Sequence, residues 1–207
     1  MSGQIMPTIF VNKDELPERK EFDFYPTPAG LVRAALPILK EDEYYEPILV
    51  LDPGAGYGVW GQEVKRAYPL THVTGIEIQD FEQPDGYDKW INGDYLTMDV
   101  TANYDLIVGN PPYKFAQEWV EKSLEIVTEN GYVLFLFRTD FLGSIVRYET
   151  LFNKNAPKRV SVSARRPSFT GNRKTGGDNY AAFLWSKKWR NKYYLGDWFN
   201  WDYLDTD

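Results

Sequence analysis

The chain has 207 residues, no cysteine, a single histidine and a formal net charge of −7. These values exclude disulfides, thiolate nucleophiles and cysteine-based metal sites, leave His72 too little company for a zinc site or a triad, and argue against a general polyanion binder. With 43% apolar and 16% aromatic residues it reads as one folded domain over residues 1–207, and no apolar run approaches the roughly 18 residues a membrane helix needs.

Residues 1–20 are polar, lack the layout of a signal peptide and read as a surface arm, so a soluble, cytoplasmic protein is expected. In Phe24-Tyr25-Pro26-Thr27-Pro28, Thr27 is placed to cap a helix over residues 29–40 and Pro28 to begin it, with Pro37 kinking or shortening it. Residues 47–51 read as a buried strand that ends in Asp52-Pro53-Gly54-Ala55-Gly56-Tyr57-Gly58, followed by a helix over 59–68 stopped by Pro69. Strand, glycine turn and helix together form a nucleotide-type cradle, with free helix N–H groups and room for close approach to the backbone. A second strand over 72–78 puts Glu77 at its end, where a carboxylate accepts from ribose hydroxyls. A third, over 90–96, carries Asp94.

The fourth strand, residues 104–109, runs straight into Asn110-Pro111-Pro112-Tyr113. Ligands of open α/β sheets bind at this carboxyl end. The two prolines stiffen the turn and fix its carbonyls, the Asn110 side chain adds an acceptor oxygen, and Tyr113 adds a flat ring. Two acceptors beside a ring suit a planar amine; a proline-stiffened turn closing a core strand is the plainer reading. Beyond it, a helix over 115–129 should stop at Gly131, and a fifth strand covers 132–137. A helix over 142–152, a sixth strand over 159–163, a seventh over 180–185 and an aromatic, acidic tail complete the chain. Seven strands alternating with helices give a doubly wound α/β sheet with helices on both faces.

Between Leu151 and Gly177 stand seven basic residues, Lys154, Lys158, Arg159, Arg165, Arg166, Arg173 and Lys174, and no acidic one. In an acidic chain this basic loop region, residues 154–178, reads as a local phosphate-contacting patch; a solvated charged face is the alternative.

Taken in order, Phe24 to Pro28, Asp52 to Gly58, Glu77, Asp94 and Asn110 to Tyr113 resemble the motifs of the S-adenosylmethionine-dependent N6-adenine DNA methyltransferases. These are amino-methylating enzymes with an Asn-Pro-Pro-Tyr motif and a Rossmann-like fold. The resemblance implies a seventh strand running antiparallel beside the sixth, S-adenosylmethionine as cofactor, and no metal. It implies that Asp52, Gly54 and Gly56 hold the cofactor's methionine part, with Tyr25, Pro26 and Thr27 closing the other side. Glu77 would take the ribose hydroxyls, Asp94 the adenine amino group, and Tyr95 or its apolar neighbours would flank the ring. Asn110 and Pro111 would accept from the target amine, and Tyr113 would stack on an adenine flipped out of DNA. Phe169 would pack on the base's other side, or simply pin its loop to the core. Arg165, Arg166, Arg173 and Lys174 would contact DNA. Within these residues there is no added segment comparable to a target-recognition domain, and a monomer is favoured. Protein-glutamine N5 methylation and RNA base-amino methylation are the rival substrates, a dinucleotide dehydrogenase a more distant one. A binding protein that keeps the cofactor pocket without turnover is a different class of reading.

Overall fold

The structure, a computed structural model, describes residues 26–41, 45–101, 103–169 and 177–202. The expected arm over residues 1–20, Tyr25, Arg173 and Lys174 lie outside them. The strands are β1 (Leu49–Asp52), β2 (His72–Glu77), β3 (Lys89–Asn92), β4 (Tyr104–Gly109), β5 (Val127–Arg138), β6 (Arg159–Ser163), β7 (Tyr180–Ser186) and β8 (Leu195–Phe199). They form one sheet in the order β3-β2-β1-β4-β5-β7-β6-β8. Neighbours from β3 through β5 are parallel. β7 is antiparallel to both β5 and β6, as expected beside the sixth strand. The chain walks outward from β1 to β3, then returns to lay β4 on β1's other side. The crevice between β1 and β4 is therefore the switch point where α/β sheets take ligands.

Period-two alternation sorts the strand residues onto two cores. Val50, Val73, Leu106, Val108, Leu134, Leu136, Ala182 and Leu184 face one side, with α1 (Ala29–Ala35) and α2 (Val59–Ala67). Leu51, Ile76, Ile107, Val133, Phe135, Phe137, Phe183 and Trp185 face the other, covered by α3 (Ala116–Ile126) and by the turns after β5. Phe141, from those turns, stacks on Phe137 at 4.4 Å and meets Phe183 and Trp185 edge-on. Burying rings of this size supplies much of the driving force on that face.

Several boundaries differ from the sequence expectation, each for a local reason. Pro28, not Thr27, is the cap of α1, and no side chain caps it. At Pro37, which has no N–H to donate, the helix gives way to a 3-10 turn, Leu36–Glu41. β3 ends at Asn92, so Asp94 stands in the following turn. α3 is preceded by a 3-10 turn, Tyr113–Phe115. It stops at Ile126 because Val127 already pairs with Tyr104. Gly131 is therefore inside β5 and not a helix stop: a Cβ there would lie 2.5 Å from the Asp105 carbonyl oxygen. Gly131→Ala should destabilise by about 1–3 kcal/mol through this backbone clash, read as a lower midpoint in urea unfolding; an unchanged midpoint would contradict it. The segment after β5 breaks into a 3-10 turn (Thr139–Leu142), the short α4 (Ile145–Arg147) and a π turn (Tyr148–Phe152).

The sheet has an eighth strand that the acidic tail hid. β8 adds in parallel to β6, and Asp197 anchors it by accepting from Arg159 Nη2 and Ser161 Oγ. Trp201 then folds in behind, donating to Ser163 Oγ at 2.9 Å.

Candidate active site

Four chemistry-bearing stretches meet at the carboxyl ends of β1, β2, β3 and β4. Asp52 ends β1 and is fully buried. Its Oδ2 accepts from the Tyr87 hydroxyl at 2.6 Å, and Tyr87 in turn accepts from Gly61 N–H at 3.0 Å, tying the carboxylate to the first turn of α2. Oδ1 is buried without a hydrogen-bond partner. Burial, with the charge of Glu77 adding and the Tyr87 hydroxyl opposing, pushes the Asp52 carboxyl up to about 7. An enclosed carboxylate with an open acceptor fits a cationic group such as an ammonium.

The glycine turn bends back over β2. Gly58 adopts φ +83°, and a Cβ there would strike Pro84 at 2.6 Å, so only glycine serves at that corner. Gly56 N–H donates to Glu77 Oε2 at 2.8 Å, and Gln79 N–H to Oε1 at 3.0 Å. Glu77 is thus fixed by backbone donors, with lone pairs to spare for hydroxyl groups. Asp94 accepts from Leu96 N–H at 2.9 Å, which sets its carboxylate in the turn after β3. Tyr95 departs from the expectation. It is buried, its hydroxyl is bonded to Ser123 at 2.9 Å, and its ring lies 4.9 Å from Trp119. It packs α3 and offers no face to a ligand ring; of its apolar neighbours, Leu96 is half-buried.

Asn110 follows β4. Its Nδ2 donates to Thr27 Oγ1 at 3.3 Å, which turns the amide so that Oδ1 is buried and without a partner. An unpartnered amide oxygen thus stands after β4, oriented by Thr27, which caps no helix. Pro111 is buried and Pro112 and Pro26 half-buried. The Tyr113 hydroxyl is hydrogen-bonded to that of Tyr180, and their rings lie 6.2 Å apart. Burial first, then Tyr180, holds the Tyr113 phenol well above its ordinary range, so it stays protonated. Phe169 lies 4.8 Å from Tyr180 and packs on the α1 and α2 core, the contact expected of an aromatic that pins its loop.

Sequence reasoning missed Tyr87 and Tyr180. Tyr87 sits in an irregular span with no periodicity to flag it. Tyr180 had a usable signal, an aromatic opening an antiparallel strand, whose start lies at the carboxyl end of its neighbour β5.

Among the described residues, the basic side chains of this segment are not placed together. Lys158 lies beside Tyr132, its Nζ 3.4 Å from that hydroxyl, and Arg159 opens β6; with Lys154 they stand at the amino end of the sheet, away from Asn110. Arg159 and Arg165 are ion-paired with Asp197 and Asp202. Arg166, at the site end, is bonded to Asn179 Oδ1 at 3.0 Å. Arg138, opposite Tyr180, is flanked by Asp140 and Asp178. A cleft of about 600 Å³, lined by Tyr45, Asp105, Tyr132, Lys158 and Trp189, opens at the amino end, remote from these residues. Among the described residues no helix is long and apolar enough to cross a membrane, and no group of three or more His, Asp or Glu is placed to hold a metal.

No protein-family profile matches the chain. Over 73 residues, 33% of this chain and 19% of the relative, it is 30% identical to the type II methyltransferase M.CvrRI of a Paramecium bursaria Chlorella virus. Over 103 residues, 42% of this chain and 30% of the relative, it is 27% identical to the ribosomal RNA small subunit methyltransferase C of Aliivibrio salmonicida. The chain spans less than a third of the length of these curated relatives. Its fold matches a Listeria monocytogenes protein described as a class I S-adenosylmethionine-dependent methyltransferase, with a TM-score of 0.64 at 13% identity over 90% of this chain and 68% of that one. The fold is the Rossmann-like one of the class I S-adenosylmethionine-dependent methyltransferases.

Proposed function

We propose that this chain, whose fold and sequence relatives are those of methyltransferases, transfers a methyl group from S-adenosylmethionine to the exocyclic N6 amino group of adenine in DNA. The observation that carries the reading is the buried, unpartnered Asn110 Oδ1 at the switch point, beside the stiff Pro111 carbonyl. An amine that donates one N–H to each acceptor has its nitrogen pulled toward tetrahedral geometry. Its lone pair, otherwise delocalised into the ring, then points away from both acceptors. Catalysis on this reading is positioning and electrostatics. When bound, S-adenosylmethionine supplies an electrophilic methyl on a sulfonium.

Asp52, Gly54 and Gly56, with Pro26 and Thr27, are the residues to hold the cofactor's methionine part; Tyr25 joins them from outside the described residues. The open Oδ1 of Asp52 suits the ammonium, Glu77 the ribose hydroxyls and Asp94 the adenine amino group. Tyr113 stacks on the acceptor base, which has to leave the duplex for its amino group to be reached. The amino group loses one N–H proton, to solvent, when it takes the methyl; the protonated Tyr113 phenol does not receive it.

DNA is preferred to protein because aromatic rings suit a base, and to RNA because of the motif order and the type II relative. The ribosomal RNA relative keeps RNA as the second reading. Phosphate contact rests on Arg166, on Arg165 released from Asp202, and on Arg173 and Lys174. Labelled methyl supplied with duplex DNA, single-stranded DNA, RNA and protein in parallel decides the class. The expected result is label in DNA adenine, and label in glutamine alone would refute the assignment. Neutralising Arg165 and Arg166 together should flatten the salt dependence of DNA affinity, each lost phosphate contact removing about 0.9 from the slope. Binding that is salt-insensitive from the start would exclude a phosphate-gripping mouth.

A further inference from the structure

Tyr180 touches both aromatic rings of the site. It opens β7 opposite Arg138, the last residue of β5, and is only 5% exposed, so its ring cannot swing. The adjoining backbone is pinned as well, with Thr139 N–H donating to the Asn179 carbonyl at 3.0 Å. From this fixed place its hydroxyl bonds the Tyr113 hydroxyl, and its ring meets Phe169 at 4.8 Å with a 52° tilt.

We propose that Tyr180 is a positioning residue for the methyl acceptor, holding Tyr113 and Phe169 as a preset aromatic slot and tying up the Tyr113 hydroxyl so that the slot recognises a flat ring by stacking. The inference rests on the function proposed above and sharpens its substrate class. The bond to Tyr180 takes up one of the few hydrogen-bonding positions of the Tyr113 hydroxyl and fixes its direction, leaving less of it for a small side-chain amide, whereas a nucleobase needs only the ring faces. Pre-ordering both rings also lowers the entropic cost of binding an extruded base. The hydroxyl contact is therefore felt in acceptor binding more than in the methyl-transfer step.

Tyr180→Phe keeps the ring against Phe169 and removes only the hydroxyl. Tyr113→Phe removes the same bond from the other side, so a folding defect in one variant leaves the other to report. For each, KM and kcat are measured on whichever of the four acceptors the wild type methylates, with S-adenosylhomocysteine affinity measured alongside. The exchange rate of the tyrosine hydroxyl protons is followed by NMR, which needs no acceptor. The expected result is an acceptor KM raised about fivefold in each single variant, the size of one lost hydrogen bond. The fall in kcat should be smaller, the S-adenosylhomocysteine affinity unchanged, and the double variant no worse than either single one. A slowly exchanging hydroxyl proton should disappear in both. Tyr180 acting only as a core filler would leave the acceptor KM unmoved while lowering the melting temperature, and that outcome overturns the proposal. Losses that multiply in the double variant, or hydroxyl protons exchanging as fast as in free tyrosine, overturn it too. Absence of label from every nucleic acid would instead refute the proposed function; the hydroxyl exchange and the KM on protein would still be read.

Discussion

Asn110→Ala should lower kcat by about 10²–10³, the loss seen when one preorganised electrostatic contact is removed, while cofactor affinity stays within about twofold. The separation follows from place. Asn110 stands after β4, whereas the carboxylates assigned to the cofactor, Asp52, Glu77 and Asp94, end or follow β1, β2 and β3; Thr27, assigned to the methionine part, meets Asn110 through the amide Nδ2 and not through Oδ1. Truncation removes Oδ1, leaving the Pro111 carbonyl as a lone acceptor, so the amine is no longer held between two. It also frees the Thr27 hydroxyl. Thr27→Val therefore makes a useful companion: it keeps Oδ1 but loses the bond that orients it, and its kcat should fall between wild type and Asn110→Ala. Single-turnover methyl transfer with saturating cofactor measures both. Near-normal turnover in Asn110→Ala would remove the residue from the mechanism, and a parallel loss of cofactor affinity would move it to the cofactor's site.

Much of this arrangement is readable along the chain because its signals are local. An apolar run broken by Asn110-Pro111-Pro112 gives a strand and its end, and Tyr104–Gly109 forms as the pattern implies. Glu77 ends its strand as expected, the run before it being buried on both faces. What escapes is set by partners distant in sequence. Val127 is strand because Tyr104 is there to receive it, and Gly131 is needed because the Asp105 carbonyl approaches, neither of which leaves a mark in the local pattern. β8 reads as an acidic tail until Arg159 and Ser161 are placed beside Asp197. Tyr95 misleads for the same reason: its motif position points to a ligand ring, but Ser123 and Trp119 of α3 have claimed it. The ion pairs of Arg159 and Arg165 are not legible in the basic run itself, because their carboxylates, Asp197 and Asp202, come later in the sequence.

Cofactor binding should weaken about tenfold per pH unit below pH 7, through Asp52. In the free protein burial pushes this carboxyl up to about 7, so at pH 5 it holds a proton that must leave before a cationic ammonium can be bound. At pH 8 it is already ionised and the slope disappears. Asp52→Asn should bind less tightly at pH 8 and show no slope between pH 5 and 7. The same shift acts on stability with a definite sign. An unfolded aspartate titrates near about 3.9, so between about pH 4 and 7 the folded chain holds one proton more than the unfolded chain. Stability therefore falls as pH rises through that window, and above it the buried charge is at its most costly. Without cofactor, Asp52→Asn should consequently melt higher than wild type at pH 8 and close to it at pH 4. S-adenosylhomocysteine should narrow or reverse the gap at pH 8 by giving the ionised Oδ1 its cation. Calorimetry across pH 5–8 and thermal melts of both proteins test the two halves together. A pH-independent affinity, or a slope that survives in Asp52→Asn, would place the ammonium elsewhere in the cleft.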